Sequence, residues 1–217
     1  MGEIVIVGSG ASFIGSGLGE KIDSFENVLR FGGSEKYLEQ HKSDVGIKTT
    51  HLFYSLNPLW LLEFNKRINS NLHFYKNLKV TFVSGPKIKN LKRDKRRRRV
   101  VAESRRILDI HGIDHEMVEN VGVMKNETLI PERMRVAHPT SGLVSIILCS
   151  AEYDNVYLCG FDALCVPPEK TITKAAHFFP IEHKHDRNLT MIHNINQEAK
   201  IIRHMMQTKN NIHILER

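Results

Sequence analysis

Ile4-Val5-Ile6-Val7-Gly8-Ser9-Gly10 is the stretch on which the fold turns. Four consecutive β-branched apolar residues read as a strand buried on both faces, as in a parallel sheet covered by helices. The Gly-Ser-Gly that follows reads as a tight turn, and Gly15, Gly17 and Gly19 keep the next segment open to close approach by a ligand. Phe13 stands where the dinucleotide fingerprint needs its third glycine, and the sequence has no Gly-Lys-Ser/Thr phosphate loop. Gly8, Ser9 and Gly10 are therefore either a nucleotide-binding turn of another design or a structural turn.

Working outward, Asn27–Phe31 reads as a second strand stopped by Gly32-Gly33, Thr49–Tyr54 as a third, and Lys79–Val83 as a fourth. Leu59–Ile68 has helical spacing behind Asn57-Pro58, an expected cap and first-turn proline. The basic run centred on Arg96-Arg97-Arg98-Arg99 precedes a helix expected over Val100–His111, and residues 116–137 read as irregular, a mixture of strand and loop. Pro139-Thr140-Ser141 opens a helix over Gly142–Ser150, Val156–Cys159 is a strand, residues 163–190 read mostly as loop, and Asn194–Met206 reads as a helix. Strands alternating with helices at this spacing predict a three-layer α/β/α domain, Rossmann-like, with a mostly parallel sheet. One domain spans residues 1–217, since no repeat, linker or composition break divides the chain.

The net charge of +7 calls for an anionic partner, among which nucleotides, acidic sugars, nucleic acid and anionic membranes all qualify. Nucleic acid fits least well, because four successive arginines spread around a helix and no aromatics interleave them. No apolar stretch reaches the roughly 20 residues a membrane span needs. Cys149, Cys159 and Cys165 are odd in number and crowded together, which argues against a disulfide scaffold. A cytoplasmic protein, with peripheral contact at an anionic membrane as an option, is the expected setting.

Several residue types suit group transfer. Thr140, Ser141 and Gly142 at a helix start combine hydroxyls, free amides and the positive helix end into an anion seat, or else serve only as a cap. Gly160-Phe161-Asp162 ends the neighbouring strand, where open α/β sheets hold ligands. Neutral His193 can take a proton from a sugar hydroxyl, and His177, before Phe178-Phe179, can donate to a departing phosphate. The cysteine and histidine spacing matches no structural zinc site, and the Asp-x-Asp pair expected of a manganese-dependent sugar transferase is missing, so a metal-independent reaction without a cofactor is expected.

At these residues the chain resembles the animal-type sialyltransferase family, as a short soluble bacterial or viral relative. The large family motif is matched by residues 4–10, by Gly19–Ser24, by Val28-Leu29-Arg30-Phe31 and by Asp44-Val45-Gly46-Ile47-Lys48-Thr49-Thr50-His51. The small motif is matched by His138–Leu143 and Val156–Asp162, the third by His177-Phe178-Phe179, and the last, His-x4-Glu, by His193 and Glu198. The resemblance implies inverting transfer of sialic acid from CMP-sialic acid to a hydroxyl of a glycan or glycolipid, which could itself be acidic. It implies His193 as general base and His177 on the CMP phosphate. Gly8, Ser9, Gly10, Arg30, Gly32, Thr140, Ser141, Gly142, Phe161 and Asp162 would line the donor site, with Asp44, Thr49, Thr50 and Glu198 in support.

The chain also departs from the family pattern. The family usually has asparagine where Ser9 and Gly32 stand, and Ile4 and Tyr153 occupy the positions of its inter-motif disulfide. Transfer from CMP-Kdo or another CMP-sugar, and a non-catalytic nucleotide- or polyanion-binding role, are the competing readings.

Overall fold

The computed structural model describes residues 2–56, 58–84, 91–128, 130–165, 167, 170 and 194–216. Its sheet has seven strands: β1 (Glu3–Val7), β2 (Asn27–Phe31), β3 (His51–Ser55), β4 (Lys79–Ser84), β5 (His115–Glu119), β6 (Asn155–Cys159) and β7 (Ile212–Ile214). They lie in the order β5-β4-β3-β2-β1-β6-β7, and every neighbouring pair is parallel. Val5, at the centre of β1, is paired with Val28 on one side and Tyr157 on the other.

The continuous apolar run of β1 is explained by helices on both faces. Ile4 and Ile6 enter a core with Leu143, Val144 and Ile147 of α7 (Ser141–Glu152) and with Ile201 and Met205 of α9 (Ile195–Thr208). Val5 and Val7 point the other way, toward Ile22 of α1 (Gly19–Asp23) and Val45 of α2 (Lys42–Val45). A third cluster packs Leu52, Val80 and Phe82 against Phe64 of α3 (Pro58–Ser70) and Leu108 of α5 (Leu91–His111). The shorter helices α4 (Leu72–Tyr75), α6 (Asn120–Asn126) and α8 (Asp162–Cys165) complete the layers among the described residues. None of the described helices is long and apolar enough to cross a membrane.

Three segments differ from the sequence expectation. The helix expected over residues 100–111 begins at Leu91, so the arginine run lies inside it. Lysine and arginine are good helix formers, and one inward stripe of Val100, Ser104, Ile107 and Leu108 anchors the helix from beyond the charged run. The segment expected to mix strand and loop holds the strand β5 but also a helix, α6. The helix expected to end at Met206 runs to Thr208 and is followed by β7, a three-residue strand too short to carry a periodic signal.

The sheet order places the site. The chain moves from β1 outward to β5, then returns past β1 to β6. The helices following β1 and β6 pack on opposite faces, which opens a crevice between the carboxyl ends of these two strands. Open α/β sheets bind their ligands at such a switch point.

Candidate functional site

Two turns meet at the crevice. Gly8 N–H donates to the Cys159 carbonyl and Gly10 N–H to the Gly160 carbonyl, both at 2.8 Å. The chains run so close that a Cβ on Gly8 would lie 2.3 Å from the Gly160 oxygen. Gly160 itself has φ of 69°, a left-handed backbone that glycine adopts without penalty. The Asp162 carboxylate accepts from Ala11 N–H at 3.1 Å, Ser12 N–H at 3.3 Å and the Ser12 hydroxyl at 2.6 Å. It thereby fixes the turn that follows Gly10.

The second wall is the start of α7. Thr140 is its N-cap, and the Thr140 hydroxyl oxygen accepts from Leu143 N–H at 3.2 Å. Thr140 in turn donates to Glu198, from its N–H to Oε1 at 2.8 Å and from its hydroxyl to Oε2 at 2.5 Å. Glu198 sits in the first turn of α9, which Asn194 caps by accepting from Gln197 N–H at 3.1 Å. Arg203, further along α9, donates to the Ala163 carbonyl of α8 at 2.9 Å. These bonds join α7, α8 and α9 around a cavity of about 160 Å³.

Of the predicted site residues, Ser9, Gly10, Thr140, Phe161, Asp162 and Glu198 come together in the cavity wall. Gly8 lies behind them in the glycine crossing, and Ser141 and Gly142 open α7 alongside, where a Cβ on Gly142 would meet the Phe161 ring at 3.0 Å. The others lie outside that wall. Arg30 is buried and donates to the carbonyls of Val45 at 2.7 Å and Lys48 at 2.9 Å. Burial pulls its pKa down to about 10, which still leaves it charged at neutral pH.

Asp44 accepts from Gly17 N–H at 2.9 Å. Thr50 accepts from Val28 N–H at 2.7 Å and so joins β3 to β2, and the Thr49 hydroxyl donates to the Ile47 carbonyl at 3.5 Å. At Gly32 a Cβ would lie 2.1 Å from the Tyr54 ring, so the volume of any side chain there is already filled. His177 and His193 lie outside the described residues, although His193 immediately precedes the Asn194 cap in the chain.

Sequence reasoning missed the apolar part of the wall: Leu143, Ala163, Leu164, Ile195, Ala199 and Ile202. The α9 members were open to detection, since Ile195, Glu198, Ala199 and Ile202 follow helical spacing and share one face.

Burial lifts the Glu198 pKa to about 7, against the downward pull of its two hydrogen bonds from Thr140. A carboxyl raised in the folded state contributes stability that is complete below its ordinary value of 4.5 and is lost as pH rises through about 7. Glu198→Gln stays neutral throughout, so its stability relative to wild type is expected to rise between about pH 5 and about pH 8. Thermal unfolding of both proteins across that range checks this; parallel curves would mean that Glu198 ionises at ordinary carboxylate pH.

An all-parallel sheet wound in both directions from β1, with its pocket at the switch point, defines a doubly wound α/β domain. The chain belongs to glycosyltransferase family 29 (sialyltransferase), whose family model matches residues 3–210. It is a sialyltransferase-like glycosyltransferase. Its fold is similar to that of a mammalian sialyltransferase solved with Gal-β-1-3GalNAc-ortho-nitrophenol. That match has a TM-score of 0.57 and 16% identity, covering 99% of this chain and 69% of that one. It is similar also to the sialyltransferase CstII from Campylobacter jejuni in complex with cytidine-5′-monophosphate. There the TM-score is 0.55 and the identity 16%, covering 100% of this chain and 80% of that one. At such identities the likeness is one of fold. No curated protein matches the sequence.

Proposed function

We propose that the chain transfers sialic acid from CMP-sialic acid to a hydroxyl of a glycan or glycolipid, with inversion and without a metal. The observation that carries this reading is the bond pair from Thr140 to Glu198, which fixes the N-terminus of α7 at the switch point and joins it to the helix that follows His193. A helix N-terminus offers free N–H groups and a positive dipole end to an anion. Ser141 and Gly142, next to the Thr140 that Glu198 fixes, accordingly hold the donor's phosphate or carboxylate, with Ser9 and Gly10 beside the nucleotide.

In the reaction, the His193 imidazole accepts the proton of the acceptor hydroxyl as its oxygen bonds to the anomeric carbon. The bond from that carbon to the phosphate oxygen breaks, and CMP leaves with the electron pair. His177 donates a hydrogen bond to the departing phosphate. Fixed donors aimed at developing charge supply the stabilisation that a metal gives in other transferases.

Calorimetric titration with CMP tests the donor class, with UMP, AMP and NAD as controls and no added metal. CMP is expected to bind selectively. A preference for UMP or NAD would mean that Ser9 marks a pocket for a different nucleotide, and the CMP reading would fall.

A further inference from the structure

α5 holds most of the net charge of this protein, and none of its residues lines the switch-point cavity. Its 21 residues include nine lysines and arginines against three acidic residues, so six of the chain's seven net positive charges lie in one helix. Seven of the nine fall within Lys92–Arg99, whereas Asp109 and Asp114 stand at or just beyond the other end. Among the described side chains of α5, Lys95, Arg98 and Arg99 are exposed and burial begins only at Val100. The run works against the helix that carries it. Cations in the first turns oppose the helix dipole, and Lys95 and Arg99, one turn apart, repel. A negatively charged surface at the outer face of the helix offsets both effects.

The direction of α5 sets where that charge stands. β4 ends at Ser84, and α5 begins at Leu91. At the far end, Ile113 N–H donates to the Leu108 carbonyl, and Val80 N–H, near the start of β4, donates to the Asp114 carbonyl, both at 2.9 Å. The helix, about 31 Å long at 1.5 Å per residue, therefore runs back along the strand, with its basic end at the carboxyl edge of the sheet. The crevice between β1 and β6 opens at the same edge. β4 is three strands from β1, or about 14 Å at roughly 4.8 Å per strand.

We propose that the first half of α5, residues 91–99, docks on an anionic lipid bilayer and turns the carboxyl edge of the sheet toward it. Lys95, Arg98 and Arg99, spaced i, i+3 and i+4, lie side by side on one face, which suits a plane of headgroups. Residues 87–106 contain no aromatic side chain on which a nucleic acid base could stack. The acidic residues at the far end of the helix fix the orientation, because a negative surface repels that end and attracts the other. The choice of a bilayer over other polyanions rests on the glycolipid acceptor in the reading above: a headgroup glycan then stands beside the edge where the crevice opens.

The test is cosedimentation of the full chain with vesicles of phosphatidylcholine alone, and of phosphatidylcholine mixed equally with phosphatidylglycerol. It uses neither donor nor acceptor, so docking and transfer stand or fall separately. Binding to the mixed vesicles alone is expected. Raising salt from about 0.1 M to about 1 M, which shortens the screening length from about 10 Å to about 3 Å, is expected to release the protein. Replacing Lys95, Arg98 and Arg99 together by glutamine is expected to weaken binding about a hundredfold, or about fivefold per charge. A control variant loses the same net charge elsewhere, at Lys66, Arg105 and Arg106, of which Lys66 and Arg106 already pair with Glu63 and Glu103. Its loss is expected to be about fivefold or less. Glutamine is a good helix former, so both variants should melt with the wild type; if the triple variant does not fold, Arg99→Gln, expected to lose about fivefold, replaces it. Equal losses in the two triple variants would overturn the site, and equal binding to both kinds of vesicle would overturn docking altogether. Displacement from the mixed vesicles by a single-stranded oligonucleotide or a soluble acidic polysaccharide at equal charge concentration would give α5 a different partner, and the proposal would fail.

Discussion

Replacing His193 by alanine is expected to reduce sialyl transfer by roughly a thousandfold while CMP affinity stays within about twofold, the separation expected of a general base that acts on the acceptor. The argument for position 193 begins one residue later. Asn194 caps α9, and Ile195 and Glu198 of the next turn stand in the cavity wall, with Glu198 bonded to Thr140. The chain therefore enters α9 at the rim of the crevice. Single-turnover transfer with saturating donor reads the chemical step, and calorimetry reads CMP binding. The pH dependence adds a second readout. Glu198, raised to about 7, titrates in the range of an ordinary imidazole, so an acid limb in the wild-type profile has two candidate owners. A limb that persists in Glu198→Gln and is absent from the residual activity of His193→Ala belongs to the histidine. Transfer by His193→Ala at the wild-type rate would remove the general base from this position.

The parts of this fold that were legible are those whose local chemistry and tertiary role coincide. The β1 run is apolar because helices cover both faces, and Asn27–Phe31 matches β2 residue for residue because Gly32-Gly33 ends it. Thr140 was readable as a cap, and it caps. Elsewhere the signal was local but the function was not. Arg30 was read as a ligand for the donor from its motif, whereas its buried guanidinium spans to the carbonyls of Val45 and Lys48, a requirement set by a loop fifteen to eighteen residues away. Gly32 was readable as a missing amide, but only the folded chain puts the Tyr54 ring in that space. The first half of α5 was hidden because its run of charged residues carries no apolar stripe by which a helix is recognised. The cavity was the least legible feature: its wall draws on residues from Ser9 to Ile202, and each small apolar member is unremarkable in its own segment.

Gly8→Ala is expected to destabilise the protein by about 3 kcal/mol or more, lowering the melting temperature by roughly 10 °C in a chain of this size. The cause is space, because Gly8 does not need a left-handed backbone. Its Cβ would lie 2.3 Å from the Gly160 oxygen and 2.8 Å from the Gly160 carbonyl carbon, and both are main-chain atoms with no rotamer to change. Relief requires β1 and β6 to part where Gly8 N–H donates to Cys159 and Gly10 N–H to Gly160. At Gly10 a Cβ would meet the Asp162 carboxylate at 1.9 Å, which can turn away at the loss of its bonds to Ala11 and Ser12, and the Gly160 main-chain oxygen at 2.7 Å, a smaller backbone overlap than the 2.3 Å at Gly8. The ordering is therefore the informative result. Gly8→Ala should lose the fold's stability first, whereas Gly10→Ala should lose nucleotide binding with a smaller change in melting temperature. Thermal unfolding of the two variants beside their CMP titrations decides it. If Gly8→Ala melted with the wild type, the two turns would not cross as closely as this, and the wall formed by Ser9, Gly10 and Phe161 would have to be drawn anew.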